Sequence, residues 1–68
     1  MNQYKILVFH DHHGDITGIK FFENDVLRTQ HGFEDCSSPT EIKRDGNWDG
    51  PMWVIYNTLL SAMPVSLR

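Results

Sequence analysis

One cysteine, Cys36, is all the thiol chemistry of this 68-residue chain, so no disulfide can form within it. An unpaired thiol suits a reducing compartment, and a cytoplasm is the expected location. Long apolar runs are also missing. Neither Ile6 to Phe9 nor Met52 to Tyr56 approaches the roughly 20 residues a membrane helix needs. Lys5 precedes only a short apolar run with no small-residue cleavage site, so no export leader is read there. Positive charge is sparse. Six Lys and Arg against nine Asp and Glu leave a net charge of −3, the wrong sign for a protein that lives on phosphate backbones. Direct nucleic-acid binding is therefore not expected. No glycine loop able to cradle a phosphate occurs, because Gly46 and Gly50 sit beside a tryptophan and two acids, Asp45 and Asp49. At this length the chain forms one small domain (1–68) whose core is marginal, so a metal, a second copy or a partner is expected to add stability.

The charge that is present is unevenly spread. Residues 23–49 hold seven acids and only Arg28, Lys43 and Arg44 as bases, whereas from residue 50 onward the only charge is Arg68. An acidic middle joined to an apolar tail reads as a solvated surface followed by a segment that must be covered.

The strongest strand signal is 3–10, rich in β-branched and aromatic residues, with apolar side chains on both faces at Ile6, Leu7, Val8 and Phe9. Two apolar faces predict a central position in a sheet. A polar loop from His10 to Asp15 follows, then a second strand over 16–23 in which Ile19 and Phe21 share a face opposite Phe22. Asn24 and Asp25 both tolerate positive φ and suit a two-residue hairpin turn. A third, more polar strand over 26–31 would then lie at the sheet edge; a short helix over 23–31 is the competing reading.

Ser38-Pro39-Thr40-Glu41 has the form of a capping box with proline at the first helical position, which predicts a short capped helical turn near 39–44. Gly50-Pro51 opens a helix over about 51–62, with Met52, Ile55, Tyr56, Leu59, Leu60 and Met63 at helical spacing. A strand over 52–56 is the alternative there. Together these elements predict an α+β fold: a small antiparallel sheet of two or three strands packed by a C-terminal helix.

His10, Asp11, His12, His13 and Asp15 concentrate nitrogen and oxygen donors of the kind that bind zinc, nickel or iron. In an extended segment His10 and His12 would share one face, and Asp11 and His13 the other. The candidate metal ligands are His10, His12, His13 and Asp15, with His31 or Cys36 able to complete a site. The run from Lys5 to Asp15 resembles the first motif of calcineurin-like metallophosphoesterases, through Asp11, His13, Gly14 and Asp15. That likeness implies that the Asp and His would be ligands of a two-metal centre. Asp11-His12-His13 also resembles the motif that names the DHH phosphoesterases. The second Gly-Asp motif and the Asn-His-Glu block of the former are absent here, as are the further aspartates and second domain of the latter. A two-metal site also draws ligands from several loops, so phosphoesterase chemistry is not expected.

Cys36 follows Glu34 and Asp35, whose charges oppose a reactive thiolate, and reads as a small buried side chain. No catalytic set is apparent, and no organic cofactor is implied. Trp48, Met52, Trp53, Tyr56 and Leu60 put more apolar surface around the C-terminal helix than one stripe of a small sheet can cover, and Trp, Tyr and Met favour interfaces. They form the candidate partner-binding set, for another protein or a second copy in a homodimer. Acidic, compact chains of this kind resemble, as a class, the accessory proteins of phages and mobile elements. That likeness implies a non-enzymatic inhibitor or adaptor that covers a partner's surface.

Overall fold

The computed structural model of the chain describes residues 3–34, 38–45 and 49–68. Strands β1 (Gln3–His10), β2 (Ile16–Glu23), β3 (Val26–Gly32) and β4 (Thr40–Asp45) form one antiparallel sheet in the order β3-β2-β1-β4. Helix α1 (Asp49–Ala62) lies against one face, mainly over β1 and β2, and a short 3-10 turn, Val65–Leu67, follows it. The fold is α+β, with four strands in the sheet where the sequence predicts two or three. No helix among the described residues is long and apolar enough to cross a membrane.

β1 is central, as its two apolar faces require. Tyr4, Ile6 and Val8 point to the helix, where they form the core with Ile19, Phe21, Met52, Tyr56 and Met63. Phe9, of opposite parity, is buried on the other side of the sheet. Asn24 and Asp25 have φ of 52° and 67°, so the β2–β3 connection is the two-residue hairpin their side chains predict. The turn is tied to β1, since the Asn24 amide donates to the Gln3 carbonyl (2.8 Å) and the Gln3 amide donates to Asn24 Oδ1 (2.9 Å).

Residues 26–32 are an edge strand and not part of a helix. At its far end Gly32 pairs with Gly18, and the chains cross closely: a Cβ on Gly32 would lie 2.0 Å from the Thr17 carbonyl oxygen, and one on Gly18 2.2 Å from that of Phe33. Gly32 also has φ of 72°. Only glycine meets both demands there.

The predicted helical turn near 39–44 is instead β4. Local capping chemistry at Ser38-Pro39-Thr40-Glu41 loses to the ladder along β1, whose outer backbone groups need partners once β2 has taken the inner ones. In β4, Ile42 sits opposite Ile6 and meets the apolar requirement of the helix-facing side. Residues 52–56 are helical, not extended. α1 begins at Asp49, so Pro51 falls in its first turn, where its missing N–H breaks no hydrogen bond.

Candidate functional site

The outer flank of α1 holds the exposed aromatic surface. Met52 and Tyr56 are buried in the core and Leu60 is half-buried, which leaves Trp53 as the member of the sequence-predicted set that meets solvent. Trp48 lies outside the described residues, as does Cys36. Trp53 is 45% exposed, yet its position is fixed: it stacks on Phe21 (ring centroids 5.0 Å apart, 13° between planes) and meets Tyr56 edge-on at 5.7 Å. One face of the indole therefore completes the core and the other faces water. Val54, next along the helix, is 66% exposed. On the sheet, Phe21 pairs with Thr29, and one residue pair further on the same face Glu23 pairs with Val26, another exposed apolar residue. Val26 thus sits on the same side of the sheet as Phe21, on the edge strand β3. Sequence periodicity alone does not single out Val26, because its exposure follows from β3 being an edge.

Under this flank the Tyr56 hydroxyl meets His31 Nδ1 at 2.5 Å, with the rings 5.8 Å apart. Burial raises the Tyr56 pKa above its ordinary value of 10.0, while a hydrogen bond with Thr29 acts in the opposite sense. His31 is thereby engaged with the helix; it lies level with Val8 near the His10 end of the sheet, with β2 between them.

The His10–Asp15 loop is a hairpin connection, not an extended segment, so the predicted alternation of His10 and His12 against Asp11 and His13 does not occur. Asp11 organises it. Its Oδ1 accepts the amides of His13 (2.9 Å) and Asp15 (3.0 Å), its carbonyl accepts the Gly14 amide (3.1 Å), and its own amide donates to the Asp15 carbonyl (3.0 Å). Gly14 closes the loop with φ of 87°. Partial desolvation pushes the Asp11 pKa up, but the two amides and the His13 and His12 rings outweigh it and hold the carboxyl below its ordinary value. His12 and His13 pack ring against ring, 4.0 Å between centroids. Among the described residues no group of three or more His, Cys, Asp or Glu side chains is placed to hold a metal ion. One oxygen of the carboxylate that the motif offers as a ligand, Asp11 Oδ1, is engaged by the turn amides.

The face of the sheet turned away from α1 carries Lys5, Leu7, Phe9, Lys20, Phe22, Glu41 and Lys43 by register. The Lys5 ammonium lies 4.8 Å from the Phe22 ring centroid, Lys20 pairs with Glu34, and Lys43 lies 3.4 Å from Glu41. Arg68 was legible only as an isolated charge, yet it closes the helix end: Nη2 donates to the Ser61 carbonyl (2.6 Å) and Nε to that of Met63 (3.1 Å).

Compared with known proteins, the chain matches no family model, and no curated protein or solved structure is significantly similar to it.

Proposed function

We propose that the chain is a small, non-enzymatic protein-binding module that docks on another protein through the outer flank of α1, with Trp53 as the anchor. It acts by covering that partner's surface, as an inhibitor or adaptor of the phage or mobile-element type would, in a cytoplasm. The observation that carries this reading is the posture of Trp53. A large aromatic held flat on buried Phe21, with its other face in water, is ordered before binding, so little rotamer entropy is lost when a partner covers it. Val54, beside it on the helix, and Val26, on the edge strand, are further exposed apolar residues. Burying such an anchor typically contributes about 2 kcal/mol or more.

Val54→Glu tests the reading with little risk to the fold, since Val54 is 66% exposed and absent from the core. In native lysate the tagged wild-type chain is expected to retain a stoichiometric protein partner. The Val54→Glu chain, with an unchanged melting temperature, is expected to lose it. A photo-crosslinking residue at Val54 should join that partner covalently. Equal retention by both chains, or no partner for either, overturns the proposal.

A further inference from the structure

The geometry points to a second interaction surface, independent of the Trp53 flank: the free edge of β4, which pairs with the β4 of a second copy to make a continuous sheet across a two-fold axis.

Backbone direction along β4 follows from β1. The Gln3 carbonyl accepts the Asn24 amide, so Gln3 turns its backbone groups toward the β2 side. Alternation then aims those of Tyr4, Ile6 and Val8 at β4, where they meet Arg44, Ile42 and Thr40. Glu41 and Lys43 consequently turn their N–H and C=O outward. The Lys43 carbonyl bears this out, since it is reached from outside the ladder by the Arg44 guanidinium at 2.7 Å. A carbonyl has two lone pairs, so that contact leaves room for a second donor. Among the described residues no strand lies beyond β4.

An antiparallel self-pair must match outward residues with outward residues, which leaves few registers. Centring on Lys43 sets lysine against lysine, and centring on Glu41 sets glutamate against glutamate. Centring on Ile42 sets each Glu41 against Lys43 of the other copy, and each such pair exchanges both backbone hydrogen bonds. The charge pattern of β4 is therefore self-complementary in one central register and repulsive in its neighbours, which is the isologous match a two-fold interface needs.

Two further features favour that register. Lys43 already faces Lys5 across the β1–β4 ladder, a like-charge contact that Glu41 of its own strand offsets from 3.4 Å. A second copy adds another carboxylate beside it. On the opposite face Ile42 is only half-buried, because α1 lies mainly over β1 and β2; at the two-fold axis it would pack against its own equivalent.

The test is a charge exchange read by sedimentation velocity, with circular dichroism as the check on folding. The wild-type chain should form a dimer that weakens with salt. Glu41→Lys and Lys43→Glu should each weaken it by at least about tenfold, because each sets like charges opposite one another. An equimolar mixture of the two variants should form a heterodimer, and the double exchange E41K/K43E should restore the homodimer. Amide hydrogen exchange on the wild-type chain gives a reading that needs no variant: the Glu41 and Lys43 amides should gain protection as concentration rises. A wild-type chain that stays monomeric at high concentration overturns the proposal. So does a dimer indifferent to both single exchanges, or Glu41 and Lys43 amides that exchange rapidly at every concentration.

Discussion

The Tyr56 hydroxyl and His31 Nδ1 lie 2.5 Å apart, joining the middle of the helix to the edge strand β3 at the rim of the core. Tyr56 is 2% exposed, so its hydroxyl depends on His31 and Thr29 for hydrogen bonding. Tyr56→Phe keeps the ring contacts with Phe21 and Trp53 but leaves His31 Nδ1 without this partner. The expected loss is about 1 kcal/mol, measured by urea denaturation at neutral pH. The alkaline limb supplies a second check. Because burial raises the Tyr56 pKa, the native state holds its proton more tightly than the unfolded chain. That stabilisation is complete below the ordinary value of 10.0 and is lost as pH rises through the folded value. Wild-type stability should therefore fall as pH rises from 10.0 through the folded value, with a component that Tyr56→Phe lacks.

Asp11 has the opposite sign. Its carboxyl is held below the ordinary 3.8, so its contribution is present above that value and disappears as pH falls through the lower, folded one. Asp11→Ala removes the acceptor of the His13 and Asp15 amides and should lower the melting temperature at neutral pH. Asp11→Asn keeps an oxygen for both amides but no charge beside His12 and His13. It should melt below wild type at neutral pH, though by less than Asp11→Ala, and approach wild type in acid, where this part of the acid dependence is gone. Thermal melts from neutral pH down to about pH 2 check both variants; an Asp11→Ala chain that melts like wild type would show that the loop closes without the side chain.

These loop and hairpin features were legible in the sequence because they are local. Asn24 and Asp25 announce a turn by their own conformational tolerance, and the helix announces itself by the spacing of Met52, Tyr56 and Met63. β4 was not legible in the same way. Thr40–Asp45 contains one aliphatic residue, Ile42, and it follows a capping pattern that suits a helix when read alone. What selects a strand there is long-range: β1 is apolar on both faces and therefore central, and a central strand needs a neighbour on each side. The signal lay in β1, thirty-odd residues away from the segment it organises. The candidate interface was legible only in part. Helical spacing placed Trp53 on the apolar helix, but its half-exposed stacking on Phe21 depends on where β2 runs, and the exposure of Val26 depends on which strand is the edge.

Gly32 and Gly18 provide a test of the close crossing between β2 and the end of β3. Gly32→Ala sets a methyl group against the Thr17 carbonyl and asks a non-glycine residue to hold φ at 72°. The expected cost is about 2 kcal/mol or more, from strain and from displaced backbone. Gly18→Ala meets the Phe33 carbonyl instead and should also destabilise, without a positive φ to add to its cost. Chemical denaturation distinguishes the two, with Gly32→Ala the more severe. Equal stability of Gly32→Ala and wild type would mean that the strands do not approach this closely.

Arg68 acts on the last turn of α1. That turn carries no basic residue of its own, and the negative end of the helix leaves carbonyls without intrahelical donors. The Arg68 guanidinium folds back seven residues to the Ser61 carbonyl and also reaches that of Met63, while the Leu67 amide donates to the Pro64 carbonyl (2.9 Å) to form the intervening turn. The contact is short in sequence but needs the chain to reverse at Pro64, so it anchors the half-buried Leu67 on the core. Arg68→Ala should cost about 0.3–1 kcal/mol, the range of a charged helix-end interaction at an exposed site. It should also speed amide exchange at Leu67 more than in the middle of α1. Arg68→Lys keeps the charge but cannot direct two separate N–H groups at two carbonyls, so it should recover only part of the loss. If Lys restores wild-type stability fully, the interaction is one of charge with the helix end; if it restores none, the paired hydrogen bonds of the guanidinium account for it.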